Sequence, residues 1–312
     1  MKAPMVSPSL PSTVDLVERV LELKRLRNAV ILAHNYQLPE VQDIADFSGD
    51  SLELSRRAAA TDAAVIVFCG VHFMAETAAI LSPDKTVLLP DPEAGCPMAD
   101  MITAQQLRAF KAEHPGVPVV AYINTSAEVK AESDICCTSA NSREVVNNLP
   151  DSEIIFVPDW CLGHWTQKYT DKHLWLWPGY CHTHHRILAE DIKRLRAEHP
   201  QAEIMVHPEC TPDVVELADS VLSTGGMIRK AAESPAQEMV VGTELGIIHR
   251  LQRDHPGKTF YPVSPLVVCP NMKRITLEKV LSALENLQPT VVVPELTQSR
   301  ARAAIERMLA IR

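Results

Sequence analysis

Apolar residues along the chain fall into short unbroken runs, separated by longer stretches with one apolar face. Asn28-Ala29-Val30-Ile31-Leu32-Ala33 and Val65-Ile66-Val67-Phe68 are continuous, as expected of strands buried on both faces. Similar runs are Thr86 to Leu89, Val119 to Ile123, Ile135 to Cys137, Ile154 to Val157, Leu174 to Trp177 and Ile204 to Val206. Val221-Leu222, Met239 to Val241, Phe260-Tyr261 and Val291 to Val293 complete the set. About twelve short strands alternating with amphipathic segments predict an α/β fold with parallel sheets. Among the helical stretches, Leu16, Val20 and Leu23 share one face behind a cap at Ser12 and Asp15. Val41 to Ala60 reads as helix, and Ala301, Ala304, Ile305, Met308 and Leu309 give a closing helix one apolar side. Residues 1–11, rich in Pro and Ser, are expected to form a loose tail.

The alternation has a period. Cys96, Cys181 and Cys269 each follow a strand-like run and a proline or glycine turn, and they are 85 and 88 residues apart. The first strand of each unit exits into His34-Asn35-Tyr36, Tyr122-Ile123-Asn124 or His207-Pro208-Glu209, spaced by 88 and 85 residues. Glu113-His114-Pro115, Glu198-His199-Pro200 and Asp254-His255-Pro256 repeat a helix–strand joint. Three long units of about four strands each fit three small α/β domains better than a solenoid. The predicted fold is therefore three pseudo-symmetric αβα domains with short parallel sheets around a central site. The expected boundaries are 1–101 plus 270–312, 102–180 and 181–269. Ligands bind at the carboxyl ends of parallel strands, so three inward-facing units would pool their strand exits in one cavity.

Composition narrows the chemistry. With 312 residues and 46% hydrophobic, the chain can bury a sizeable core, and a net charge of −9 argues against nucleic acid or an anionic membrane as partner. No apolar run approaches the ~20 residues of a membrane span, and the N-terminus lacks a signal-peptide layout, so a cytoplasmic location is expected. Neither G-x-G-x-x-G nor G-x-x-x-x-G-K-[ST] occurs.

Eight cysteines in such a chain suggest metal or catalytic use rather than disulfides. Three at a constant period with no fourth partner do not match a closed zinc site. They suit a 4Fe–4S cluster with one iron free of protein ligand, able to act as a Lewis acid on a substrate hydroxyl. Cys69, Cys136 and Cys137 read as core, whereas Cys161 is open and Cys210, after His207-Pro208-Glu209, is positioned to line the cavity. His34, Tyr36, His207 and Glu209 supply acid–base groups at strand ends. Ser51, Ser139 and Ser223-Thr224-Gly225-Gly226 precede expected helix starts, which suits phosphate or carboxylate as well as plain capping. A cluster serving only as a redox sensor or a structural lock is the competing reading, and it would not need these polar strand exits.

The residues resemble the quinolinate synthase family over nearly the whole chain from about Val30. The resemblance is carried by Ala33-His34-Asn35-Tyr36-Gln37, Gln42 to Phe47, Gly49-Asp50-Ser51-Leu52, Phe73-Met74-Ala75-Glu76-Thr77 and Gly95-Cys96-Pro97-Met98-Ala99. It continues in Tyr122-Ile123-Asn124, Thr138-Ser139-Ala140-Asn141, His207-Pro208-Glu209-Cys210, Ser223-Thr224-Gly225-Gly226 and Cys269-Pro270-Asn271-Met272-Lys273. It implies condensation of iminoaspartate with dihydroxyacetone phosphate to quinolinate, phosphate and water, in NAD biosynthesis. It also implies a 4Fe–4S cluster on Cys96, Cys181 and Cys269, and substrate contacts at His34, Ser51, Tyr122, Asn124, Ser139, His207, Glu209 and Thr224. Tyr36 would be an acid–base group, and an aspartate oxidase or dehydrogenase would be the functional partner that supplies iminoaspartate. The chain departs from the family's usual Gly-(His/Tyr)-Cys-Pro-Val-His in reading Gly179-Tyr180-Cys181-His182-Thr183-His184-His185. His184 keeps the expected histidine, His182 stands for a proline, and Trp160-Cys161 occupies a place where polar residues are expected.

Overall fold

A computed structural model describes residues 13–311, and in it the apolar runs become three four-stranded sheets. The first holds β1 (Ala29–His34), β2 (Phe47–Gly49), β3 (Val65–Cys69) and β4 (Thr86–Leu88). The second holds β5 (Val119–Tyr122), β6 (Ile135–Cys137), β7 (Glu153–Val157) and β8 (His173–Leu176). The third holds β9 (Glu203–Val206), β10 (Ser220–Val221), β11 (Glu238–Gly242) and β12 (Thr259–Pro262). Every strand pair is parallel, and each sheet has the same order, with its second strand outermost, then first, third and fourth. The architecture is the expected α/β one, three sheets flanked by helices.

Two readings of the sequence change. The stretch Val41 to Ala60 is not one helix but helix Pro39–Ile44, strand β2 and helix Ser51–Ala60. Phe47-Ser48-Gly49 is too short and polar to announce a strand; its pairing with Leu32, Ala33 and His34 makes it one. Val291 to Val293 is not a strand. It runs beside β4 with a single antiparallel bridge, Leu88 to Thr290, between two prolines, Pro289 and Pro294, that lack the N–H a ladder needs. The Ser12 cap and the 1–11 tail lie outside the described residues. Helix Thr13–Leu26 does bury Leu16, Val20 and Leu23, and the closing helix Glu295–Ala310 buries Ala301, Ala304, Ile305 and Met308. That closing helix packs mainly on helix Ala127–Ala131 and β6 of the second unit, while helix Leu277–Asn286 packs on Thr13–Leu26 of the first.

The repeat extends to a clamp at the strand edge. Asp46, Asp134 and Asp219 each accept, through Oδ2 at 2.8 Å, the amide of the residue 15 positions earlier, namely Ile31, Val119 and Ile204. Each aspartate amide donates back to the carbonyl of that same residue. This double bond fixes the second strand against the first in all three units. His114, His199 and His255 sit at the C-terminal ends of three helices, in their expected joint positions.

In this strand order the chain reverses direction across the sheet between the first and third strands. That switch point is where open α/β sheets leave a crevice at their carboxyl ends. The residues that leave β1, β3, β5, β7, β9 and β11 are thus aimed at whatever space the three units enclose.

Candidate active site

All twelve residues expected at the site line one cavity among the three units. From the first unit come His34, Tyr36 and Ser51, with Cys96 on the loop after β4. The second unit contributes Tyr122, Asn124 and Ser139, Cys181 follows its last strand β8, and the third contributes His207, Glu209 and Thr224, with Cys269 after β12.

Backbone geometry sets the state of the two histidines. The amide of Tyr36 donates to His34 Nδ1 at 3.2 Å, and the amide of Glu209 donates to His207 Nδ1 at 3.3 Å. Each ring therefore carries its proton on Nε2. Burial lowers both pKa values to about 3, so both are neutral at pH 7 and act as hydrogen-bond donors. His207 Nε2 lies 3.2 Å from Ser139 Oγ, which accepts from it, and the Ser139 hydroxyl also bonds Tyr122.

Glu209 is the charge at the centre. Tyr122 Oη donates to its Oε1 at 2.5 Å, and His184 Nδ1 stands 2.7 Å from its Oε2. Burial by itself would raise the Glu209 pKa; attraction to His184 and the hydrogen bonds from His184 and Tyr122 outweigh it and hold the carboxyl below the usual range. Burial, reinforced by the Glu209 charge, keeps both Tyr36 and Tyr122 protonated.

These groups connect in one direction. With Nδ1–H of His184 given to Glu209, its Nε2 accepts from Thr243 Oγ1 at 2.8 Å. Thr243 Oγ1 in turn accepts a short hydrogen bond from Tyr36 Oη. A continuous line of donors runs from Tyr36 to the Glu209 carboxylate, able to move a proton across the cavity. His184 and Thr243 carry this line although the sequence assigned neither a role. His184 had a signal, the histidine kept in the run after Cys181. Thr243 had only its place at the exit of a third strand.

Polar groups suited to an anion lie at two facing helix starts. Asp50 caps helix Ser51–Ala60 and accepts from Ser223 Oγ at 3.1 Å; Ser223 in turn caps helix Thr224–Glu233. Thr224 Oγ1 accepts from Asn35 Nδ2 at 3.0 Å, which leaves its proton available. Ser139 is not at a helix start, since the following helix begins at Ser142 with Asn141 before it. Asn124 Oδ1 is buried with no partner among the described residues, an acceptor open to a ligand N–H or O–H.

Three cysteines are core as expected, while Cys210, expected at the cavity, is not on it. Cys69, Cys136 and Cys137 are buried in the core. Burial pushes the Cys96 thiol up to about 12 and raises Cys181 and Cys269 as well. Cys181 Sγ, His184 and Glu209 offer ligand atoms within 4.8 Å of one another. His182 lines the cavity. His185 turns to Cys161 Sγ at 3.2 Å and stacks on Tyr180, so that pair does not line it. Cys210 is buried but does not line the cavity either.

The family model described as quinolinate synthetase A protein matches residues 18–310. The chain is 58% identical over 293 residues to the quinolinate synthase of Dehalococcoides mccartyi (strain ATCC BAA-2266 / KCTC 15142 / 195), covering 94% of this chain and 97% of that one. It is 56% identical over 298 residues to quinolinate synthase 1 of Methanosarcina acetivorans, covering 96% and 98%. To the quinolinate synthase of Geobacter metallireducens it is 57% identical over 293 residues, covering 93% and 96%. The chain belongs to the quinolinate synthetase A protein family.

Proposed function

We propose that this protein is a quinolinate synthase of NAD biosynthesis that condenses iminoaspartate with dihydroxyacetone phosphate, releasing phosphate and water. The observation that carries the reading is the convergence of three strand-exit cysteines and nine polar residues on one cavity, in a chain whose relatives bear that name.

The donor set fits a 4Fe–4S cluster on Cys96, Cys181 and Cys269. Three soft thiols with no fourth cysteine on the cavity match such a cluster's needs, and a bound cation overcomes the burial that keeps them protonated. Among the described residues the three sulfurs are not drawn within 4.8 Å of one another, a wider spread than one ion gathers. When bound, the cluster supplies a Lewis-acid iron for removal of a substrate hydroxyl.

The chain's own residues bind and move protons. Ser51 and Thr224 hold the phosphate with hydroxyls and helix-start amides, and Ser139 reaches it from its loop. His34 donates from Nε2 to a substrate carboxylate or carbonyl oxygen, His207 turns its Nε2–H from Ser139 Oγ to the substrate on binding, and Asn124 Oδ1 accepts from the nitrogen. Glu209 draws a proton from the condensing carbon, and Tyr36 delivers or recovers one through Thr243 and His184.

Eight free thiols support a reducing, cytoplasmic setting, and an aspartate oxidase or dehydrogenase is the class of enzyme that would supply the imine. No helix among the described residues is long and apolar enough to cross a membrane. The three units are proposed to divide at 1–101 plus 270–312, 102–180 and 181–269. Anaerobic reconstitution with iron and sulfide, followed by incubation with both substrates, tests the activity. Quinolinate is expected; an iron-loaded protein that forms none overturns the reading.

A further inference from the structure

The exit of β11 carries a carboxylate that the sequence did not single out and that joins both halves of the site. Glu244 is fully buried. Its Oε1 accepts the amide of Cys269 at 3.1 Å, and its Oε2 accepts the amide of Gly246 at 2.7 Å. Lys273 Nζ lies 3.0 Å from Oε1 and 3.2 Å from Oε2. The same ammonium donates to the backbone carbonyl of Tyr36. One ion pair, fully buried on its carboxylate side, therefore holds a cysteine loop of the third unit and the backbone of Tyr36 in the first. Gly246 leaves it room, because a Cβ there would meet Lys273 Nζ and the Tyr36 carbonyl oxygen, each at 2.7 Å.

The repeat places a second buried carboxylate at the corresponding position, although there one oxygen, Asp159 Oδ2, has no hydrogen-bond partner among the described residues. Asp159, 85 residues before Glu244 and likewise at a third-strand exit, is fully buried. Its Oδ1 accepts the Leu162 amide at 2.6 Å, and the amide of Cys181 is turned toward its carboxylate. In the first unit the exit of β3 offers Val71 instead. There the Cys96 loop is fastened by Ala94 accepting the His72 amide at 2.7 Å and by Asp91 accepting the Glu93 amide at 2.8 Å. A buried carboxylate with an amide on each oxygen and one cation is satisfied and rigid, and losing it frees several groups at once.

We propose that Glu244, paired with Lys273, is a positioning residue that fixes the Cys269 loop and Tyr36 relative to each other before any ligand arrives. The inference rests on the reading of Cys269 as a cluster ligand, and its test separates the two. Outer residues that orient ligands are typically worth about 10- to 100-fold in metal retention. After anaerobic reconstitution, Glu244→Ala is expected to lose iron to a chelator that much faster than the parent protein. Glu244→Gln keeps an oxygen for the Cys269 amide and should restore most of the retention. Lys230→Met, which breaks the Lys230–Glu203 pair at the opposite end of the third sheet, should match the parent.

A second measurement uses the iron-free full-length chain. Amide hydrogen exchange at residues 268–273 and 35–37 should quicken in Glu244→Ala and Lys273→Met at unchanged exchange in β9 and β11. A parent protein that takes up no iron would fail the cluster reading and leave the exchange experiment to decide the positioning role. Unchanged exchange in those two segments overturns the proposal, as does iron loss from Glu244→Ala at the parent rate.

Discussion

Tyr122 and Glu209, 87 residues apart and on different sheets, share a 2.5 Å hydrogen bond from the phenol to Oε1. With His184 on the other oxygen, this bond keeps a buried carboxylate charged. Tyr122→Phe removes a hydrogen bond to a charged group, worth about 1.5–3 kcal/mol, so turnover should fall about 10- to 150-fold. The lower limb of the pH–rate profile should also move to higher pH as the Glu209 pKa rises. An unmoved limb with near-parent turnover counts against Glu209 as the base.

Tyr36 stands at the far end of the same line. Tyr36→Phe should leave the iron–sulfur absorbance unchanged and slow turnover by about 10²- to 10⁴-fold, the usual worth of an acid–base group. Thr243→Val removes the threonine relay and leaves only the direct 3.4 Å approach of Tyr36 Oη to His184 Nε2, so it should lower turnover by a smaller factor. Comparable turnover in Tyr36→Phe and the parent would falsify the assignment.

The cysteines divide cleanly. Cys181→Ala is expected to abolish both iron–sulfur absorbance and quinolinate formation. Cys136→Ala, a change in the core away from the cavity, should keep both. Iron content by colorimetry and the visible spectrum of reconstituted protein check the pair.

Acid should destabilise the metal-free protein in a defined window. His34 and His207 are held neutral down to about pH 3, whereas in the unfolded chain they protonate near 6.5. Between those values the unfolded state binds more protons, so stability falls as pH drops, by about 1.4 kcal/mol per pH unit for each histidine. Glu209 acts in the same direction lower down: its depressed pKa contributes stability that is present above the ordinary carboxylate range and lost as pH falls through the folded value. Thermal unfolding from pH 7 to pH 5 should show a shallower slope in His207→Asn than in the parent.

The strand-edge clamp predicts a local cost. Asp134→Ala leaves the Val119 amide without its side-chain acceptor. The loss should be about 1 kcal/mol, near the low end for an orphaned donor because Asp134 is exposed. Denaturant midpoints measure it.

What the sequence alone determined here was local or periodic. Unbroken apolar runs such as Val65 to Phe68 can be stable only when covered on both faces, which implies parallel sheets with helices. A period of 85 to 88 residues makes Cys96, Cys181 and Cys269 equivalent, and with them His34, Tyr122 and His207. Neither inference needs to know how the units dock. The tertiary structure decided whatever depends on docking. Phe47–Gly49 is a strand only because β1 offers it a partner, and Val291 to Val293 is not one because prolines at both ends deny it a ladder. Tyr122 meets Glu209, Thr243 meets Tyr36, and Lys273 bridges Glu244 and Tyr36 only across unit boundaries. Such contacts leave no periodic trace, since each pairs different positions of the repeat. The packing of three similar units around one cavity brings those unlike positions together, and the protonation states of the site follow from it.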